Sequence, residues 1–235
     1  MKKHLYTFIA LGVIAGPLAF SFESRIHFWT HWPALFIATI LTGTLYLFWD
    51  AVVVKRGDWT FNPRFTGTFR ILGLPLGEYL FFVAVPYACL FVFEVIREFL
   101  GSTAWWAVSP VTLFSGALVM VVGAWLMRHL GYTFLAFLSV AVFLATLGFA
   151  RPGLAGQSEF WFWFGFCFVA FMLVNGLYTA LPTIWYNPKA FTGIRIGPIP
   201  LEDFFYNFSY LGLTLCFYLQ FDTWLSDLAK ARLQG

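Results

Sequence analysis

Three carboxylic acids stand in two short motifs that echo each other. Glu78 lies three residues beyond Pro75, and Glu202 and Asp203 lie two and three residues beyond Pro200. Proline suits the first position of a helix, because its missing N–H would be unpaired there anyway. Acids in a first turn also meet the positive end of the helix dipole. In a soluble helix that would explain both motifs. Here the neighbours are Ile71, Leu72, Leu74, Tyr79, Leu80, Phe81 and Phe82. An acid held so near hydrocarbon is costly, and by default it marks a functional site. Loss of hydration favours the neutral form of a carboxylic acid, and a neutral acid beside an apolar cavity can deliver a proton to a weak base. Glu78, Glu202 and Asp203 are therefore the candidate catalytic residues.

The residues around them suit a cationic reaction. Tyr79, Phe81, Phe82, Phe204, Phe205 and Tyr206 flank the acids, and an aromatic face stabilises a cation by about 0.5–2 kcal/mol. For any one of these rings, packing or lipid contact is the alternative. Asn207 follows them, and Asp50 and Asn175 stand near the ends of two apolar runs. All nine are candidate substrate-binding residues. Asp50 has a rival reading as an interfacial partner of Lys55 or Arg56. Glu94 and Glu98 flank Arg97 and read as an interfacial charge cluster. His4, His27, His31 and His129 make no ligand pattern, and Cys89, Cys167 and Cys216 read as small buried hydrophobes.

These residues need a frame, and composition supplies it. Hydrophobic residues make up 60% of the chain and charged residues 11%, against about 45–50% and about 25% in a soluble domain. A soluble fold of this size cannot hide so much apolar surface, whereas a bilayer can. A net charge of +3 gives no reason to expect nucleic acid. Seven apolar runs approach the roughly 20 residues that a crossing helix needs, at about 4–22, 33–54, 74–96, 109–128, 131–149, 159–181 and 198–221. The first resembles a signal peptide but lacks a cleavage site, so it reads as a span. The loops on the N-terminal side then carry nine of the 14 Lys and Arg residues, Lys2 and Lys3 included, and the other side carries five. Positive loops stay inside, which predicts a cell inner-membrane protein with its N-terminus and acidic motifs on the cytoplasmic side.

The chain also repeats itself. Residues 61–82 and 186–207 share Asn62-Pro63 with Asn187-Pro188, Thr66-Gly67 with Thr192-Gly193, Gly73 with Gly197 and Pro75 with Pro200, with a one-residue slip in the loop. The offset is 125 residues. Helices 1, 2 and 3 fall on helices 5, 6 and 7, and the fourth is a connector. The expected fold is all-α and integral to the membrane, with seven transmembrane helices in a 3+1+3 parallel repeat. Residues 1–105 form the first repeat with its motif at 75–78, 106–130 the connecting helix, and 131–235 the second repeat with its motif at 200–203. Parallel copies put both motifs at one depth, where sites form between repeats.

The stretch Phe61-Asn62-Pro63…Leu74-Pro75-Leu76-x-Glu78-Tyr79-Leu80-Phe81-Phe82…Pro86-Tyr87-Ala88-Cys89 resembles the first half of the membrane-integral lycopene cyclases. Asn187-Pro188…Thr192-Gly193-Ile194-Arg195-Ile196-Gly197…Ile199-Pro200-Leu201-Glu202-Asp203-Phe204-Phe205-Tyr206-Asn207 resembles the second half. In that family the two units occur as separate subunits or fused, and this chain resembles the fused form. The resemblance implies cyclisation of the ends of a linear carotenoid, typically lycopene, with no net redox change; separately, no motif in the chain indicates a flavin or nicotinamide cofactor, and none is expected. The resemblance also implies a lipophilic carotenoid substrate in membrane lipid, and acids supplied by paired acidic positions. Glu202 and Asp203 match both positions, but in the first copy Gly77 stands where the family commonly has an acid. The implied chemistry protonates a terminal double bond, lets an internal one attack the tertiary cation, and removes a ring proton.

Other classes compete with this reading. A retinal protein needs a mid-membrane lysine, and the lysines at 2, 3, 55, 189 and 230 all lie outside the spans. A prenyltransferase needs Asp-rich motifs for Mg²⁺ on diphosphate, which the chain lacks. A small-solute transporter with parallel repeats, and a carotenoid hydratase that quenches the same cation with water, stay open. There is no Gly-x-Gly-x-x-Gly turn to hold a dinucleotide.

Overall fold

The computed structural model describes residues 4–181 and 183–234; Lys2 and Lys3 of the loop charge count lie outside them. The long helices are α1 (Leu5–Phe20), α2 (Trp32–Arg56), α4 (Leu76–Leu100), α5 (Pro110–Leu126), α6 (Gly131–Ala150), α7 (Ser158–Ala180) and α8 (Leu201–Gln234). A single-turn helix, α3 (Pro63–Thr66), lies between α2 and α4. Six two- or three-residue strands complete the connections: β1 (Trp59–Phe61), β2 (Arg70–Ile71), β3 (Leu74–Pro75), β4 (Ile184–Tyr186), β5 (Arg195–Ile196) and β6 (Ile199–Pro200). The fold of the described residues is thus nearly all-α. Among the described residues, four helices are long and apolar enough to cross a bilayer: α2 with the 3₁₀ turn before it, α4, α6 and α7. α1 and α5 are apolar but shorter, at about 24 and 26 Å for a rise of 1.5 Å per residue. α8 runs well past the expected end at residue 221.

Local chemistry sets the ends of these helices. Pro33 sits in the first turn of α2, and Gly57 closes it in the left-handed region at φ 81°. Ser109 caps α5 by accepting a hydrogen bond from the Thr112 N–H at 3.2 Å, with Pro110 in the first turn. α4 and α8 start later than expected because residues 70–75 and 195–200 turn back as tiny hairpins. Pro75 is therefore the extended cap before α4 rather than its first residue. Arg70 stands opposite Pro75 and Arg195 opposite Pro200. The hairpins thus correspond at an offset of 125 without a slip, and Gly197 answers Leu72 rather than Gly73. Leu72 and Gly73 both have positive φ, 51° and 84°, as a tight two-residue hairpin turn needs.

Helix packing follows the same correspondence. α1 packs on α4, and α6 packs on α8; α2 packs against α8, and α4 against α7. β1 and β4 pair antiparallel with Thr60 opposite Trp185, Trp59 opposite Tyr186 and Phe61 opposite Ile184. Residues 125 apart thus stand across this ladder about its Thr60–Trp185 centre. α5 packs chiefly on α6 and leaves Val111, Leu118, Val119, Val122, Trp125 and Leu126 exposed, an apolar face suited to lipid rather than water. A buried core of aromatic and aliphatic side chains from α2, α4, α7 and α8 fills the centre, including Phe82, Phe93, Trp163 and Tyr210.

Candidate functional site

At the end of the bundle where α2 and α7 finish and α4 and α8 begin, a cavity of about 60 Å³ is lined by Asp50, Glu78, Asn175, Asp203, Tyr206 and Asn207 with the rings of Tyr6, Trp59, Phe81, Tyr132, Phe171 and Tyr186 and the side chain of Ile184. It has room for a few water molecules. Its acids come from three helices. Glu78 occupies the first turn of α4 and Asp203 that of α8, while Asp50 sits one and a half turns before the end of α2. Among the described residues, no basic side chain lines it. Lys55 does not reach Asp50, and Arg56 instead grips Asp58.

Glu78 and Asp203 are each held by a tyrosine from the first helix of the same repeat. The Tyr6 hydroxyl donates to Glu78 Oε2 at 2.5 Å, and the Tyr132 hydroxyl donates to Asp203 Oδ1 at 2.5 Å. Asp203 Oδ2 accepts two more bonds, from the Tyr186 hydroxyl at 2.7 Å and Asn175 Nδ2 at 3.0 Å. Asp50 is 1% exposed and accepts from the Tyr206 hydroxyl at 3.0 Å. Its carboxyl group is also within hydrogen-bonding reach of Glu78. Two carboxyl groups hydrogen-bond to each other only when one carries a proton. Burial, and next the Asp203 carboxyl, raise the Tyr186 phenol well above its ordinary value, so this side chain stays a donor.

Glu202 is elsewhere. It is 1% exposed, and its Oε1 accepts from Thr133 Oγ1 at 2.7 Å, Thr192 N at 2.9 Å and Thr192 Oγ1 at 2.7 Å. It ties the loop after β4 to α6 and does not line the cavity. In the first repeat the corresponding space belongs to Tyr6. A Cβ at Gly77 would fall on the Tyr6 ring, with further ring and Cβ atoms at 3.1 and 3.2 Å. The missing acid thus makes room for the tyrosine that holds Glu78.

Of the expected binding residues, Asp50, Phe81, Asn175, Tyr206 and Asn207 meet at the cavity. The other four do not. Tyr79 turns away to donate to Ile71 O at 2.8 Å, and Phe82 packs edge-on against Tyr210 in the core. Phe204 lies against Phe168 and Phe171, and Phe205 against Phe137. Successive helical residues point about 100° apart, so a run of aromatics cannot all face one space. Residue types near the motifs gave no hint of Tyr6, Trp59, Tyr132 or Tyr186. The signal was available in the repeat, since Tyr6 and Tyr132 stand 126 apart.

An apolar chamber adjoins the polar cavity. A space of about 270 Å³ shares Phe81, Phe171, Asn175 and Asn207 with it and runs between α1, α4, α7 and α8. Along α4 it is lined by Phe81, Val85, Ala88, Cys89 and Val92, a single helix face about 16 Å long. A third space of about 160 Å³, lined by Phe204 and Phe205 among others, adjoins both at Phe171 and Asn207.

The family model described as lycopene cyclase matches residues 3–96 and 129–221. The unmatched stretch between them holds α5, and the two matched segments hold every residue of the cavity. No curated protein and no solved structure matches the chain. With most of its length matched, the chain belongs to the lycopene cyclase family, and with its apolar helices it is an integral membrane protein.

Proposed function

We propose that this member of the lycopene cyclase family cyclises the ends of a linear carotenoid, lycopene being the typical substrate, by acid–base catalysis between its two halves. One observation carries the reading. Acids from corresponding first turns, Glu78 and Asp203, share a cavity that adjoins an apolar chamber across four common lining residues. The polyene lies in the chamber with its end at the acids. A carboxyl proton passes to the terminal double bond, and an internal double bond attacks the tertiary cation to close the ring. A second carboxylate takes the ring proton, so the product is an isomer of the substrate and no electrons are exchanged. The rings of Tyr6, Trp59, Phe81 and Phe171 offer the cation electron-rich faces that are not strong nucleophiles. Tyr206 and Asn207 border the same end, whereas Glu202 acts as a clamp on the loop.

The seven long helices are read as seven crossings, divided as 1–105, 106–130 and 131–235, with the acid end toward the cytoplasm. The corresponding helix contacts and the β1–β4 ladder support a parallel 3+1+3 plan. The function is tested by expressing the chain in a lycopene-accumulating bacterium and analysing the pigment. A cyclase gives less polar-shifted, ring-ended carotenoids isomeric with lycopene. A hydrated, more polar pigment, or unchanged lycopene, refutes the reading.

A further inference from the structure

The two halves of the site differ at corresponding positions, and the differences all have one chemical direction. Asp50 and Asn175 stand 125 residues apart and line one cavity. Phe61 and Tyr186 also stand 125 apart, and only the second can donate a hydrogen bond. Asp203 therefore meets three neutral donors, the Tyr132 and Tyr186 hydroxyls and the Asn175 amide. Such a set satisfies an ionised carboxylate and leaves no acceptor for a carboxyl proton. Glu78 meets one phenol, Tyr6, and the Asp50 carboxyl. A second carboxyl can accept a proton or share one, but two ions in contact without a cation are strongly disfavoured.

From this we infer that the halves have fixed, opposite roles: the Asp50–Glu78 pair holds the proton that starts the reaction, and Asp203 is the ionised base that ends it. Glu78 is the residue that meets the substrate double bond, and Asp50 is a positioning residue that shares the pair's proton with it. The inference rests on the cyclase reading for its consequence but not for its chemistry. Among the described residues, the ionisable groups whose charge acts on the pair are Tyr6 from α1, Tyr46 from α2, Tyr79 on α4 with its hydroxyl turned away, Tyr178 from α7, Tyr186 from β4, and Asp203, Tyr206 and Tyr210 from α8. None of them is a cation. The proton released to Asp203 returns across the shared cavity, and the cycle closes without any other reactant.

The test replaces Asp50 by the residue its counterpart carries. Asp50→Asn keeps the shape and the Tyr206 bond but removes the second carboxyl. The expected result is a kcat at pH 8 at least about 10-fold lower, as for loss of a general acid, with KM unchanged. The alkaline limb of the rate profile moves at least about one unit toward acid. A parent-like kcat and profile overturn the inference. Infrared spectra of the purified protein without substrate give a separate readout. The parent at pH 8 shows the carbonyl stretch of a buried protonated carboxyl that Asp50→Asn lacks. If the band is absent from the parent or persists in Asp50→Asn, the shared proton is refuted, whatever the pigment assay says of cyclisation.

Discussion

The ring of Tyr6 lies where any side chain at residue 77 would have to go. This contact links two features that the sequence leaves unconnected, a glycine in place of an acid and a tyrosine in the first helix. It leads to a direct expectation. Gly77→Ala pushes Tyr6 off Glu78, costing about 1–3 kcal/mol as overpacking does, and lowers the cyclisation rate. Thermal unfolding in detergent and the pigment yield measure the two effects. Unchanged activity in Gly77→Ala would mean that the Tyr6–Glu78 bond is dispensable.

The two tyrosines that hold the acids are expected to differ in weight. Asp203 keeps two donors when Tyr132 is lost, whereas Glu78 keeps no phenol when Tyr6 is lost. Loss of a buried partner costs about 1–3 kcal/mol. Tyr6→Phe should therefore lower kcat roughly 5- to 100-fold, and Tyr132→Phe by less. Steady-state kinetics on the two variants decide it, and the reverse order would contradict the geometry.

Glu202 separates a structural acid from a reacting one. A glutamine at 202 still offers an oxygen to the Thr133 and Thr192 donors. Glu202→Gln should keep activity within about threefold, the range of a lost net hydrogen bond. Glu202→Ala should lower the thermal midpoint by orphaning the buried threonines. A Glu202→Gln protein that folds but has lost cyclisation would return Glu202 to the chemistry.

Tyr186 carries a pH dependence outside the membrane helices. Its phenol is raised by burial and then by the Asp203 carboxyl. A group raised in the folded state contributes stability below its unfolded value, about 10 for tyrosine, and loses it as pH climbs toward the folded value. Thermal midpoints should stay level to about pH 10 and fall above it. The fall should be shallower in Tyr186→Phe. An equal fall in parent and variant would show that Tyr186 does not titrate in this environment.

Much of this site can be read from the sequence, and the limit has a physical origin. Repeated Pro-Leu motifs mark the first turns that carry Glu78 and Asp203, and the offset of 125 brings Asp50 and Asn175 to the same place. What sequence proximity misjudges is direction. Tyr79, Phe82, Phe204 and Phe205 are next to the acids along the chain but point around the helix into loop, core and the adjoining apolar space. Glu202 fails for the same reason, being one residue, or about 100°, from Asp203. Trp59 and Tyr186 reach the cavity through a three-residue ladder too short to leave a periodic signal. The seventh helix was expected to end near 221, where apolar residues give way to Asp222, Asp227, Lys230 and Arg232. A helix continues through polar residues if nothing breaks it, and no Gly or Pro stands between 213 and 234.

The shared cavity with opposed acids is tested most directly by the rates of Glu78→Gln and Asp203→Asn in lipid vesicles loaded with lycopene. Both substitutions keep the shape of the side chain and remove one ionisable group. The expected result is that each folds, binds the carotenoid and loses at least about 100-fold in kcat, within the range of general acid–base catalysis. Full-rate cyclisation by either variant would contradict the account.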